Sequence, residues 1–308
     1  MPSEPPTPVS NAQWDSRSVG KRWQFAFLAL LLRAGGRRLA YLFMHVVVAW
    51  YVLLRPFVRR RCRYYLNRRF PEVAHPLVRL WHDYRRIEAL GGSLIDRAAF
   101  GLLGPQALHI HFSEGPRLRE LIQEGRGLII LNSHVDGWQV AMSAFRYLRV
   151  PVSIVIHQEA ADIDPRWFHY AGTEVPFSII DPAQPLGGVL EMIAVLKNNR
   201  VLGLMADRVF GGDLNTLPAP FLGAPVHFPI SPYRLASMQG TPIAVVYSYK
   251  TGFSTCRVEL ARVIRVPPLL GRSNAAYAPY LRQFVETLEA FVAAHPWQFF
   301  NFHDMWQG

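Results

Sequence analysis

Residues 127–134 read GLIILNSH, and the fold turns on that stretch. The apolar residues are continuous rather than alternating, the pattern of a strand covered on both faces. Such strands belong to parallel sheets sandwiched between helices. The run delivers Ser133 and His134 at its C-terminal end, where α/β sheets gather their ligands. Residues 140–148 then read as a helix, 151–156 and 177–180 as strands, and 186–196 as a helix. Residues 201–205 (VLGLM) form another buried strand, running into Ala206, Asp207 and Arg208. A loop is expected from Gly211 to Pro229, then a helix starting over 233–238. Strands 243–249 and 256–264, joined by Lys250-Thr251-Gly252-Phe253, read as a hairpin at the sheet edge, and 276–294 as a long amphipathic helix. Upstream, 77–90 reads as a helix ended by Gly91 and Gly92, 108–112 as a short strand, and 117–124 as a helix closed by Gly125. The sum is an α/β fold with a central, mostly parallel sheet flanked by helices.

The charge lies elsewhere. Thirteen Lys and Arg residues occupy positions 1–70 against two acids, Glu4 and Asp15, so this segment carries the entire net charge of +11. It also holds the longest apolar run, residues 39–54 (LAYLFMHVVVAWYVLL). As a helix that run rises about 24 Å, short of the roughly 30 Å hydrocarbon core. Extension toward residue 24 is interrupted by Arg33, Gly35, Gly36, Arg37 and Arg38. Seven arginines between positions 55 and 69 follow it, each worth about 1 kcal/mol near an anionic leaflet. An embedded or interfacial anchor is therefore expected over residues about 24–57, with a tilted span as the alternative. A nucleic-acid partner is disfavoured, because a bare apolar run beside the arginines would have nowhere to go in water. Three parts follow: residues 1–20 as a disordered Pro/Ser-rich leader, 21–70 as the basic membrane anchor, and 71–308 as the α/β domain. Two cysteines are too few for a disulfide framework or a thiolate zinc site.

His134 is the leading chemical candidate, since an imidazole accepts a proton at neutral pH once a neighbour fixes its tautomer. Ser133 as nucleophile is disfavoured, because adjacent residues at a strand end point opposite ways. Asp207 and Arg208 stand at a second strand end, where an arginine can hold phosphate bidentately; Arg234 is a further candidate for that anionic site. His109 and His111 share a strand face but lack a third ligand, so no metal is expected. Glu159, Asp162 and Asp164 read as a solvated acidic loop.

The stretch from His134 to Gln139 resembles the His-x4-acid motif of the lysophospholipid acyltransferase superfamily, and more closely its lipid A late (lauroyl and myristoyl) acyltransferase branch. The apolar strand ending in Asp207-Arg208, the Pro220-Phe221-Leu222-Gly223 loop with Phe228-Pro229, the helix from Tyr233, and the ending from Pro296 to Trp306 are similar too, over roughly residues 20–306. The resemblance implies transfer of a fatty acyl chain from a thioester of acyl carrier protein or coenzyme A to a hydroxyl or amine of a lipid or glycolipid. That thioester is a co-substrate, and no other cofactor is implied. It further implies a place at the cytoplasmic face of a bacterial inner membrane, with membrane lipids and acyl carrier protein as partners. Carried onto this chain, His134, Asp136 and Gln139 become the catalytic residues, and Asp207, Arg208, Arg234, Phe221 and Gly223 the substrate-binding ones. The departure is Gln139, standing where the family carries an acid: it can hold an imidazole but not stabilise imidazolium by charge. Asp136, or Asp207 from a neighbouring strand end, could supply the missing carboxylate. The alternative is a catalytically weak lipid-binding protein that keeps the fold. A hydrolase reading lacks its Gly-x-Ser-x-Gly elbow.

Overall fold

The computed structural model describes residues 22–137, 145, 148–156, 177–184, 188–209 and 215–307. Three helices lead: α1 (Arg22–Leu54), α2 (Pro56–Arg69) and α3 (Pro76–Leu103). Strands β1 (His109–His111), β2 (Leu128–Asn132), β3 (Val152–Val155), β4 (Ser178–Ile180), β5 (Val201–Met205), β8 (Pro242–Gly252) and β9 (Thr255–Arg265) make one sheet. Its order is β1–β9–β8–β2–β5–β3–β4, and every neighbouring pair is parallel except β8–β9. Strands β6 (Thr216–Phe221) and β7 (Ala224–Pro229) form a separate antiparallel pair. Helices α4 (Gly115–Gln123), α5 (Val189–Lys197), α6 (Ser231–Gln239) and α7 (Ala278–Ala294) cover the sheet.

Strand β2 lies between β8 and β5 and is covered on both faces, which is why its apolar run does not alternate. Ile129 and Leu131 join a core with Leu202, Ile243, Val245 and side chains of α2, α5, α6 and α7. Leu128 and Ile130 face the other way, packing with Val201, Ala244 and Val246 against Leu118, Leu121 and Ile122 of α4. A third apolar cluster joins α1 to α3 through Leu32, Ala40, Met44, Val48, Val52, Ile95 and Ala98.

Three expectations are corrected. The β8–β9 hairpin is not the sheet edge, because β1 pairs alongside β9. Gly91 and Gly92 do not end a helix: α3 continues to Leu103 across them, since α1 passes too close for side chains there. A Cβ on Gly91 would sit 2.9 Å from Met44 Cγ, and one on Gly92 3.1 Å from Tyr41 Oη. The expected loop over 211–229 contains the β6–β7 hairpin, turned by Leu222 (φ 49°) and Gly223 (φ 80°). The interruption expected over residues 33–38 falls at Gly36, whose φ 62° and ψ −162° leave helical geometry, so α1 is two helices meeting at a kink. Arg37 turns inward there, donating to Asp96 Oδ1 at 2.5 Å, to Ser254 Oγ at 2.8 Å and to the Phe253 carbonyl. The expected helix over 140–148 lies almost wholly outside the described residues.

With the kink bridged, Gln24–Leu54 is long and apolar enough to cross a membrane. Only 28% of its most apolar window is buried within the protein. Leu42, Val46, Trp50, Leu53 and Leu54 are exposed along its outer side, as are Leu77, Val78 and Trp81 of α3.

Candidate active site

Strands β2 and β5 run parallel in register, with Asn132 opposite Met205. Two residues beyond each partner stand His134 and Asp207, so the ladder itself brings them together. The Ala206 amide donates to the Asn132 carbonyl at 3.0 Å, holding the two exits side by side. His134 Nδ1 lies 2.9 Å from Asp207 Oδ1 and 3.1 Å from Oδ2. The Asp207 side chain is fully buried, whereas the His134 side chain keeps 20% of its surface in contact with solvent. The side chain thus has one ring nitrogen on a buried carboxylate and a fifth of its surface reachable from outside.

The backbone around His134 is tied to the C-terminal segment. The Phe300 amide donates to the His134 carbonyl at 2.7 Å, and the Asp136 amide to the Gln298 carbonyl at 2.9 Å. Gly137 completes the turn at φ +73°, a conformation that favours glycine. Arg208, with 8% of its side chain exposed, donates from Nη2 to the Phe300 carbonyl at 2.6 Å and stands 3.8 Å from Asp207.

Burial pushes the Asp207 carboxyl up, but the His134 ring and the Arg208 guanidinium more than reverse this and hold it at about 2. Burial lowers the His134 pKa, opposed by Asp207 and reinforced by Arg208. At neutral pH the pair is therefore carboxylate and neutral imidazole. An ionised Asp207 can only accept, so Nδ1 carries the proton and Nε2 keeps a free lone pair. That is the state of a general base.

Asp136 does not partner His134. Its carboxyl is buried, accepts from the Ser93 hydroxyl and the Gly137 amide, and is pushed up to about 6, chiefly by burial. Gln139 lies outside the described residues, as do Gly211, Gly212, Glu159, Asp162 and Asp164. Asp207, expected on the substrate or alternatively as the carboxylate partner of His134, takes the second role, with both oxygens on the imidazole. Phe221 is fully buried, stacked on Trp306 and edge-on to Phe299, a core residue rather than a pocket wall. Gly223 occupies the β6–β7 turn, with open space where a Cβ would lie. Arg234 donates to Asn215 Oδ1 at 2.9 Å and to the Arg272 carbonyl at 3.0 Å, tying loops together away from the dyad. Ser133 is buried with its hydroxyl beside Tyr247, which removes it as a nucleophile. His109 and His111 are exposed on β1, and no metal-holding cluster occurs among the described residues.

Two side chains near the dyad escaped the sequence reading. His303 is held at about 4 by burial and by Arg208, and it also feels Asp207 and His134. Arg86 of α3 is fully buried and donates to the carbonyls of Asn301 and Cys62, with its guanidinium 4.3 Å from the Tyr65 ring and 4.7 Å from that of Phe302. The available signal was Asp83 and Arg86, opposite charges three residues apart and so on one face of α3.

A parallel sheet whose central strand ends deliver an imidazole on a buried carboxylate defines an α/β enzyme with a positioned general base. The chain belongs to the bacterial lipid A biosynthesis acyltransferase family, whose family model matches residues 107–308. It is an acyltransferase. No curated protein matches it. Family membership and the apolar N-terminal helix together fit a membrane-associated protein.

Proposed function

We propose that this protein moves a fatty acyl chain from a thioester of acyl carrier protein or coenzyme A to a hydroxyl or amine of a lipid or glycolipid. The site would work at the cytoplasmic face of a bacterial inner membrane, anchored by residues about 24–57. The observation that carries the reading is the His134–Asp207 pair: a buried carboxylate on Nδ1 and an imidazole edge open to solvent. Nε2 takes the proton from the acceptor group as that group attacks the thioester carbonyl. Collapse of the tetrahedral intermediate breaks the carbon–sulfur bond, and the imidazolium returns its proton to the departing thiolate. Asp207 stabilises the imidazolium while it lasts. Gln139 in the acid position is compatible with this reading, because Asp207, two residues beyond β5, offers His134 a charged partner. His134→Ala is expected to abolish acyl transfer in a membrane assay while the protein stays folded by circular dichroism. Wild-type rates in that variant would overturn the proposal.

A further inference from the structure

The residues of α2 divide by helical spacing. Cys62, Tyr65 and Leu66 face the core. Arg59, Arg60, Arg63, Tyr64, Asn67 and Arg68 repeat at intervals of three and four along another face. That face lines an open cleft of about 600 Å³, closed on the far side by Asp304. Like charges at such spacing repel and weaken an isolated helix. Some of the repulsion is offset locally. Arg59 donates to the Val52 and Leu53 carbonyls at the end of α1, and Arg63 reaches Asp83 at 3.4 Å. Arg68 lies over the Trp306 ring at 4.7 Å. Arg60 is exposed and has no carboxylate partner among the described residues. Four guanidinium groups therefore line a cleft whose single lining acid is Asp304.

The position of the cleft is as informative as its charge. Exposed Leu53, Leu54 and Phe57 stand at its α1 end, continuous with the bare apolar side of that helix. At its other end Trp306 donates from Nε1 to the Phe221 carbonyl, and the same C-terminal segment bonds to His134 through Phe300. A ligand lying here would have its apolar part beside α1, its anionic group among the arginines and the rest directed along the C-terminal segment toward the dyad.

We infer that this α2 cleft binds a phosphate group on the headgroup of the acceptor lipid, with Arg60 and Arg68 as its principal ligands. The guanidinium fork matches phosphate oxygens bidentately, and the anion relieves the repulsion along α2. The inference rests on the acyl-transfer reading for the identity of the acceptor, but binding at the cleft is measurable without catalysis.

The test compares the full-length protein with an Arg60→Gln/Arg68→Gln variant, using a phosphorylated glycolipid acceptor and the same glycolipid after phosphatase treatment. The variant should raise KM for the phosphorylated acceptor by about tenfold or more, with kcat within about twofold. Wild type and variant should handle the dephosphorylated acceptor alike. An unchanged KM for the phosphorylated acceptor, or an equal loss on both, would overturn the site. Equilibrium binding of the phosphorylated acceptor to His134→Ala protein, with and without the two glutamines, separates the readings. Binding that ignores the arginines removes the cleft, whereas transfer surviving in His134→Ala removes the base and leaves the cleft standing. Vesicles of phosphatidylcholine with phosphatidylglycerol form the last arm. Vesicle binding should fall no more than it does when two other arginines of residues 55–69 are replaced, and a larger fall that parallels the rise in KM on both acceptors would assign Arg60 and Arg68 to the bulk anionic surface instead.

Discussion

At the residue scale, the two buried aspartates beside His134 do opposite things, and substitution should separate them. Asp207 raises the imidazole pKa against a larger lowering by burial. Asp207→Asn removes the raising part, so the acidic limb of the kcat/KM profile should move to lower pH. The plateau should fall by about 10²–10⁴-fold, because the amide cannot stabilise imidazolium. Asp136 instead holds its carboxyl at about 6 against an ordinary value of 3.8. A folded-state value raised in this way means stability present at low pH and lost as pH climbs through 6. Asp136→Asn should therefore match wild type near pH 4 and exceed it above pH 6, by up to about 3 kcal/mol, read as a Tm difference that widens with pH. Its activity should stay within a few-fold. An Asp136→Asn enzyme as crippled as Asp207→Asn would return Asp136 to the catalytic set.

At the scale of elements, the α1–α3 contact is set by two glycines that the chain presents as a stop signal. Gly91 faces the flexible end of Met44, whereas Gly92 faces Tyr41, whose hydroxyl is already committed to the Gly92 carbonyl at 3.1 Å and Asp96 at 2.8 Å. Gly91→Ala gains helix propensity but drives its Cβ to 2.9 Å from Met44 Cγ, so with Met44 able to rotate it should destabilise by less than about 1 kcal/mol. Gly92→Ala, against a neighbour that cannot give, should destabilise by about 1–2 kcal/mol. Thermal or denaturant melts of the two variants check the contrast, and equal effects would mean that the crossing is looser than described. The same pair illustrates what sequence reading could reach. Buried strands announce themselves locally, and β2 and β5 were legible for that reason. A helix whose glycines serve a neighbour 50 residues away looks locally like one that ends. The dyad sits between these cases. His134 was legible from the end of β2, and Asp207 from the end of β5, but their pairing needed the parallel register, which no local pattern carries. Arg86 and His303 lay deeper still, because their surroundings are assembled from α2, α3 and the C-terminal segment.

At the scale of the whole molecule, the basic N-terminal segment has two physical roles that its composition merges. The arginines of α2 line an open cleft, but Arg37 leaves the surface altogether to join Asp96 of α3 and Lys250 of β8. Asp96 takes Arg37 at 2.5 Å and Lys250 Nζ at 2.6 Å, with the Tyr41 hydroxyl also on its carboxylate. One acid thereby joins the apolar N-terminal helix, its packing partner and the hairpin beside β2. Gln298 extends the tie, accepting from the Lys250 amide at 2.8 Å while its carbonyl receives the Asp136 amide. The network helps to set where the exposed apolar side of α1 lies relative to His134 and, on the proposed membrane attachment, how the dyad would sit against a bilayer. Asp96→Ala leaves the Arg37 and Lys250 cations without their shared anion, a change that costs about 3–5 kcal/mol when the partner charges stay buried. Melting of the detergent-solubilised variant should show that loss. Because the tie between α1 and the hairpin is then weakened, with the Arg37 bonds to Ser254 and Phe253 remaining, kcat/KM on membrane-embedded acceptor should fall more than on a detergent-dispersed one. If both acceptors lose equally, Asp96 serves general stability alone, and the orientation of the site at the membrane is set elsewhere.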